Sequence, residues 1–349
     1  MRIPYRTRQA IKRLLITVLV IALVAALLWL GWVLWLGRYV VYTRDGVVID
    51  RNKSSASLTG ELALPPQADG GVQIYFNEGD DTISVGVELT HMAGYYIDQK
   101  ALETDMASIK SQIEALPVGT PVMIELKNSA GNFFYNSAAG QYRQSTINTA
   151  QVDELIEFLN KSGMYTIARI TSLRDYNYGL NNVLYGIHHS SRLYLWQDKG
   201  GCYWLDPTLQ GTMSYLTNIA NELKVKGFDE VMFSEFRIPE ATDMAFSGNR
   251  MEALQKAADA LVKACGSDTF TVSFAAPQGF VLPEGKCRLY IENVEPMDAA
   301  AAAENSGISN TALNLVFVTP LNDTRFDEYG VLRPLSAADA IETQKQNAG

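Results

Sequence analysis

Glu125 and Lys127 alternate with Val122, Ile124 and Leu126 in the run P-V-M-I-E-L-K, and Arg288, Tyr290 and Glu292 alternate with Leu289 and Ile291 further along. Successive strand side chains point to opposite faces, so in each run the aliphatic residues take one face and the ionisable ones the other. The same parity groups Glu88 with Gly86 and Thr90, and Arg169 with Tyr165 and Ile167. If these strands close into one barrel, Glu88, Glu125, Lys127, Arg169, Arg288 and Glu292 converge on its interior. Isolated charges there are very costly, so the set must pair or open to solvent at a mouth. Two readings follow. One is an ionic network that fixes the geometry, and the other is a polar pocket lined by carboxylates and guanidinium groups.

A second concentration of polar residues closes the stretch G-F-D-E-V-M-F-S-E-F-R-I-P, residues 227–239. Val231 and Phe233 read as the buried centre of a strand, with Ser234, Glu235 and Arg237 crowded at its end. In a barrel of alternating strands and helices, the carboxyl end of a strand is where chemistry sits. Parity sets Met232 and Ser234 inward and Glu235 outward with Val231 and Phe233. Only a bulge or an early end to the strand turns Glu235 toward the pocket.

The elements that must position these residues read as strand-like runs at 83–90, 121–127, 164–171, 192–196, 230–236, 270–276, 287–291 and 314–319. Helical patterns occupy 100–116, 151–161, 209–226 and 251–263, with Asp98 and Thr149 as N-caps and Gly163 and Gly227 as terminators. Alternation of this kind implies a mainly parallel sheet. Eight strands in this length match a (β/α)8 barrel, and no glycine-rich phosphate-binding sequence follows any strand to favour an open doubly wound sheet. The expected fold is α/β, a TIM-type barrel over residues 72–335, preceded by a single transmembrane helix and a short β-hairpin.

The 349 residues, 47% hydrophobic and 19% charged, are enough to bury a sizeable core. A formal charge of −9 argues against nucleic acid as a partner, because neutralising phosphates takes clustered Lys and Arg. Cys202, Cys265 and Cys287 are widely spaced, and His91, His188 and His189 form no ligand pattern with them, so neither a metal nor another cofactor is implied. Residues 14–37 carry no charge, and as a helix they span about 36 Å, sufficient for a bilayer core with some tilt. Trp29, Trp32 and Trp35 suit its interfacial belt, and Arg2, Arg6, Arg8, Lys12 and Arg13 hold residues 1–13 in the cytoplasm. The apolar run exceeds that of a cleaved signal peptide. The lipid bilayer is therefore an expected partner, with the chain single-pass in the cell membrane and the barrel outside the cytoplasm. Two β-branched runs flank Asp45-Gly46, the signal for the hairpin within residues 38–71, and residues 336–349 read as a tail.

Four ordered stretches resemble a known family: I-E-L-K-N-S-A-G from Ile124, M-Y-T-I-A-R-I from Met164, W-L-D-P from Trp204, and the segment 227–239. They are similar to the bacterial glycoside hydrolase domain family with a (β/α)8 barrel, relatives of the amylase-like glycosidases. Glu125 stands where that family carries Asp, while Lys127, Arg169, Asp206, Arg237 and Pro239 match its pattern and Asp175 falls at a family aspartate. Ser234 replaces the strand-end aspartate, and Glu235 replaces the tyrosine after it. The resemblance implies a glycan as partner, with Glu125, Asp206 and Glu235 as candidate catalytic carboxylates. Glu88, Lys127, Arg169, Asp175, Trp204, Ser234, Arg237 and Glu292 are then candidate substrate-binding residues. Because a hydroxyl cannot take over a carboxylate's role, two alternatives stay open, a catalytically impaired carbohydrate-binding barrel and a cell-surface protein scaffold.

Overall fold

The computed structural model describes residues 89–104 and 106–337 together with the strand pair Val40–Thr43 (β1) and Gly46–Ile49 (β2). β1 and β2 pair antiparallel, with Val40 opposite Ile49 and Thr43 opposite Gly46. The apolar run 14–37 and the expected boundary at residues 71 and 72 lie outside the described residues. Among the described residues no helix is long and apolar enough to cross a membrane.

Eight parallel strands close into a barrel: Ala93–Ile97 (β3), Pro121–Lys127 (β4), Tyr165–Thr171 (β5), Glu230–Ser234 (β7), Thr271–Phe274 (β9), Leu289–Glu292 (β10), Leu315–Val318 (β11) and Gly330–Pro334 (β12). Each pairs with its neighbour in the chain, and β12 closes on β3. A two-stranded ribbon, His188–His189 (β6) with Met244–Ala245 (β8), ties the loop after β5 to the loop after β7.

The strict alternation of hydrophobic residues explains the layers. Val122, Ile124 and Leu126 of β4, with Val231 and Phe233 of β7, join the shell that packs on the helices. Met123, Ile167, Met232, Tyr290, Val316 and Leu332 fill the lumen. The helices Thr149–Lys161, Gln210–Val225 and Arg250–Cys265 supply the outer layer, each burying an apolar stripe. Asn148, not Thr149, caps the first of these, its carboxamide oxygen accepting from Ala150 and Gln151. Gly163 and Gly227 take the left-handed conformation just past two helix ends, as their sequence context required.

Two expected strands are corrected. The first barrel position is filled by β3 and not by 83–90, most of which lies outside the described residues, as does Glu88. The run A-G-Y-Y-I was passed over because it does not alternate, yet Gly94 is needed there. A Cβ on it would come 2.2 Å from the Pro121 carbonyl oxygen of β4. Residues 192–196 form no barrel strand and belong to the long connection between β5 and β7. The unanticipated strand is β12, bounded by Gly330 and Pro334, residues that read as turn signals in isolation. Of the expected helix 100–116, the described residues show Gln99–Thr104 and Met106–Glu114 as helical.

Candidate active site at the barrel mouth

The inward charges separate into a floor and a mouth. At the amino-terminal ends of the strands, Arg288 meets Glu230, and Tyr165 and Tyr290 each donate to that carboxylate at 2.8 Å. Arg288 also donates to the carbonyl oxygens of Leu313 and Thr90. Glu230, Arg288 and Tyr290 are buried and Tyr165 is partly buried, and burial followed by the Glu230 charge pushes the Tyr165 and Tyr290 hydroxyls well above their ordinary range. This half of the inward set is structural. Glu230 went unrecognised in the sequence although it shares parity with Met232 and Ser234.

At the carboxyl ends, the Arg169 guanidinium bridges two carboxylates, its Nη1 donating to Glu125 and its Nε to Glu292, both at 2.9 Å. The other oxygen of Glu125 accepts from the Gln99 backbone N–H at 3.0 Å. Burial works against the Arg169 charge, but Glu292 and Glu125 raise its pKa above the ordinary value. These three residues line a cavity of about 230 Å³ with Tyr96, Asp98 and Asn293.

Lys127 does not join them. Between Glu125 and Lys127 the register of β4 on β5 slips: Glu125 stands opposite Arg169, but Lys127 stands opposite Ile170. This irregularity gives Lys127 the outward parity of Ile170. Its ammonium is fully enclosed, pairing with Asp175 at 2.7 Å and donating to the Thr171 carbonyl at 2.6 Å. Asp175 also caps the helix Tyr176–Asn181 through the Tyr178 N–H and accepts from Tyr215 at 2.9 Å. Neither residue reaches solvent, so the structure places both in the scaffold behind the mouth and not on a ligand surface. Ser234 is likewise buried, its hydroxyl 3.5 Å from that of Thr171. Asp206 stays apart from the cluster, with one carboxylate oxygen accepting from the N–H and hydroxyl of Thr208 at 2.8 and 2.6 Å. It serves the turn that its Asp-Pro context suggests.

Glu235 is the residue that regular parity would have lost. β7 ends at Ser234, and Glu235 adopts φ 51°, in the left-handed region. That region is costly for a residue with a long side chain, by about 1–2 kcal/mol. The turn brings Glu235 onto the wall of a cavity of about 770 Å³ that Glu292 also lines. Asn293, directly after β10, has φ 60° and lines the same cavity. Among the described residues these two are the only non-glycine positions with positive φ, and both end strands at the mouth. Strained backbone of this kind collects at functional sites.

A supporting chain holds Glu235. Arg237 donates to it at 2.7 Å and lies over the Trp204 ring at 4.8 Å. Trp204, itself buried, donates through its indole N–H to Asp198 at 3.0 Å. Asp198 in turn accepts from Arg174 at 2.6 Å and from the Gly200 and Cys202 N–H groups. Burial alone would raise the Asp198 pKa, but donation from Arg174, Cys202 and Trp204 brings it down to about 2. Trp204 thus carries Arg237 from beneath and presents no open ring. Glu235 and Arg237 also line a further cavity of about 570 Å³ with Trp196, Asp198 and Asp243. Asp198, Asn293 and Tyr96 were missed in the sequence. The D-K-G-G turn and the Asn after an alternating strand were the available signals for the first two.

A family model described as "putative glycosyl hydrolase domain" matches residues 94–267, from β3 to the helix after β7. No curated protein matches the sequence. Among solved structures, a hypothetical protein from Ruminiclostridium thermocellum is 19% identical, with 51% of this chain and 96% of that one covered at a TM-score of 0.45. An alpha-galactosidase from Geobacillus stearothermophilus is 10% identical over 73% of this chain and 40% of its own, at a TM-score of 0.44. An exo beta-N-acetylglucosaminidase from Vibrio harveyi is 9% identical over 70% of this chain and 50% of its own, at a TM-score of 0.46. The chain therefore spans half or less of the length of these two enzymes. Residues 94–267, which carry Glu125, Arg169 and Glu235, thus match the model of this "putative glycosyl hydrolase domain" family.

Proposed function

We propose that the barrel mouth binds a glycan and cleaves it as a glycoside hydrolase, with Glu235 and Glu292 as the working carboxylates. The observation that carries this reading is the left-handed turn that sets Glu235 on the same cavity wall as Glu292. Glycoside hydrolysis calls for one carboxyl group to protonate the leaving oxygen and another to act as nucleophile or base. Glu235 is the more exposed, and its partner Arg237, with a side chain 48% exposed, is open to a sugar hydroxyl. Glu292 is held by Arg169, which orients it for the second role. Glu125, on the other arm of the same guanidinium, orients Arg169.

The test is a panel of neutral and amino-sugar polysaccharides incubated with the full chain and with Glu235→Asn and Glu292→Gln. Asn tolerates the left-handed backbone, so Glu235→Asn removes the carboxylate without adding strain. Loss of at least about a hundredfold in turnover, with glycan affinity retained, is the expected result for each. Turnover that survives both substitutions sinks the assignment. A second reading, binding without cleavage, draws on the buried Ser234 at the strand end and on the arginines that already hold Glu125, Glu235 and Glu292. Its signature is binding by the parent chain with no product from any glycan.

The site is further proposed to work outside the cytoplasm on a cell-envelope or extracellular polysaccharide, anchored by residues 14–37. The support is the uncharged run, its tryptophans and its basic flank. Protease added to intact cells should release the barrel. A barrel that stays protected until the cells are lysed would refute the topology.

A further inference from the structure

We infer that the glycan taken by this cleft is positively charged, an oligosaccharide of amino sugars whose amines are free. The inference rests on the glycan reading of the mouth and adds the charge of its occupant. The two cavities that share Glu292 are walled by six carboxylates, Asp98, Glu125, Glu235, Glu292, Glu295 and Asp298, against two cations, Arg169 and Arg237. Both cations are already committed, Arg169 to Glu125 and Glu292, Arg237 to Glu235. Asp98, Glu295 and Asp298 are exposed, and among the described residues no Lys, Arg or His pairs with any of them. The wall therefore carries net negative charge that the described residues do not neutralise.

The spacing of these groups narrows the counter-charge. They are spread along the walls and do not converge: among the described residues no group of three or more His, Cys, Asp or Glu side chains is placed to hold a metal ion. Fixed anions distributed along a concave, low-dielectric surface focus a negative potential over the whole cleft. A chain of protonated amines, one per sugar, answers that arrangement. Uronate, sulfate or phosphate groups would face uncompensated like charge, and N-acetylation would forfeit the attraction. Further sugars have room beside the site, because Glu235 and Arg237 also line a second cavity of about 570 Å³.

Titration calorimetry on the full chain would compare a β-1,4-linked glucosamine hexamer, its fully N-acetylated counterpart and an oligogalacturonate, at low and high salt. The glucosamine hexamer should bind at least about tenfold more tightly than the acetylated one at low salt, and the gap should close as salt screens the walls. The double variant Glu295→Gln/Asp298→Asn, altered only at exposed positions, should lose most of that preference while binding the acetylated hexamer as before. Equal or tighter binding of the acetylated or galacturonate oligomer overturns the inference and leaves the glycan reading standing. A preference unchanged in the double variant also overturns it, since the amines would then be recognised elsewhere. Absence of binding by all three, together with no turnover on the polysaccharide panel, removes both.

Discussion

Replacing Arg288 with Met should cost the barrel about 3–5 kcal/mol, because it leaves the Glu230 carboxylate enclosed without a cation. Glu230 is fully buried, and its remaining partners, the Tyr165 and Tyr290 hydroxyls, bring no positive charge. Loss of the guanidinium also frees the Leu313 and Thr90 carbonyls it ties to the floor. Thermal unfolding should shift down by roughly 10 °C for a domain of this size. The pair removed together, Glu230→Gln with Arg288→Met, should regain most of the loss, since no lone charge then remains. A single variant as stable as the parent would mean that the floor is hydrated and the charge was never isolated.

The second large effect is expected at Lys127. Lys127→Met should destabilise by a similar amount, about 3–5 kcal/mol, with the Asp175 carboxylate left behind the mouth without its cation. Both side chains have zero exposure, so solvent cannot screen the result. The two sites differ in their reach. Asp175 caps the helix Tyr176–Asn181 and receives the N–H donation that starts the long connection after β5, which carries Arg174, Asp198 and Trp204 toward Glu235. Lys127→Met should therefore weaken glycan binding at temperatures where the barrel is still folded, whereas Arg288→Met should not. Denaturant titration followed by binding measurements on the folded fraction separates these outcomes. Equal glycan affinity in the Lys127 variant and the parent would show that the connection is held by other contacts. At the exposed mouth, by contrast, Glu235→Asn and Glu292→Gln should stay within about 1 kcal/mol of the parent, since partly exposed ion pairs contribute little.

Much of the fold was legible because a barrel strand between a helix layer and a lumen must alternate. β4, β5, β7, β9, β10 and β11 all follow from that rule. It failed at β3, where close strand approach selects Gly94 over an alternating side chain, and at β12, where glycine and proline at the ends masked the strand. The run 192–196 has strand-like residues but no place in the barrel, because pairing partners across the sheet decide strand formation and a local run does not.

For the site, the sequence by itself placed Glu125, Arg169 and Glu292 on the inward face, since side-chain parity follows from the backbone in a regular strand. It could not determine at which end of the barrel each charge sits, so the inert floor around Arg288 and the open mouth around Arg169 read as one cluster. Three placements were decided by tertiary structure. The slip in β4 withdrew Lys127, the buried pairing withdrew Asp175, and the left-handed turn at the end of β7 delivered Glu235. Each is a departure from regular strand geometry, held by contacts with residues distant in the chain: Ile170 against Lys127, Tyr215 against Asp175, and Trp204 beneath the Arg237 that grips Glu235. Such departures have no local signature, because their cost is met by packing that exists only once the barrel has closed.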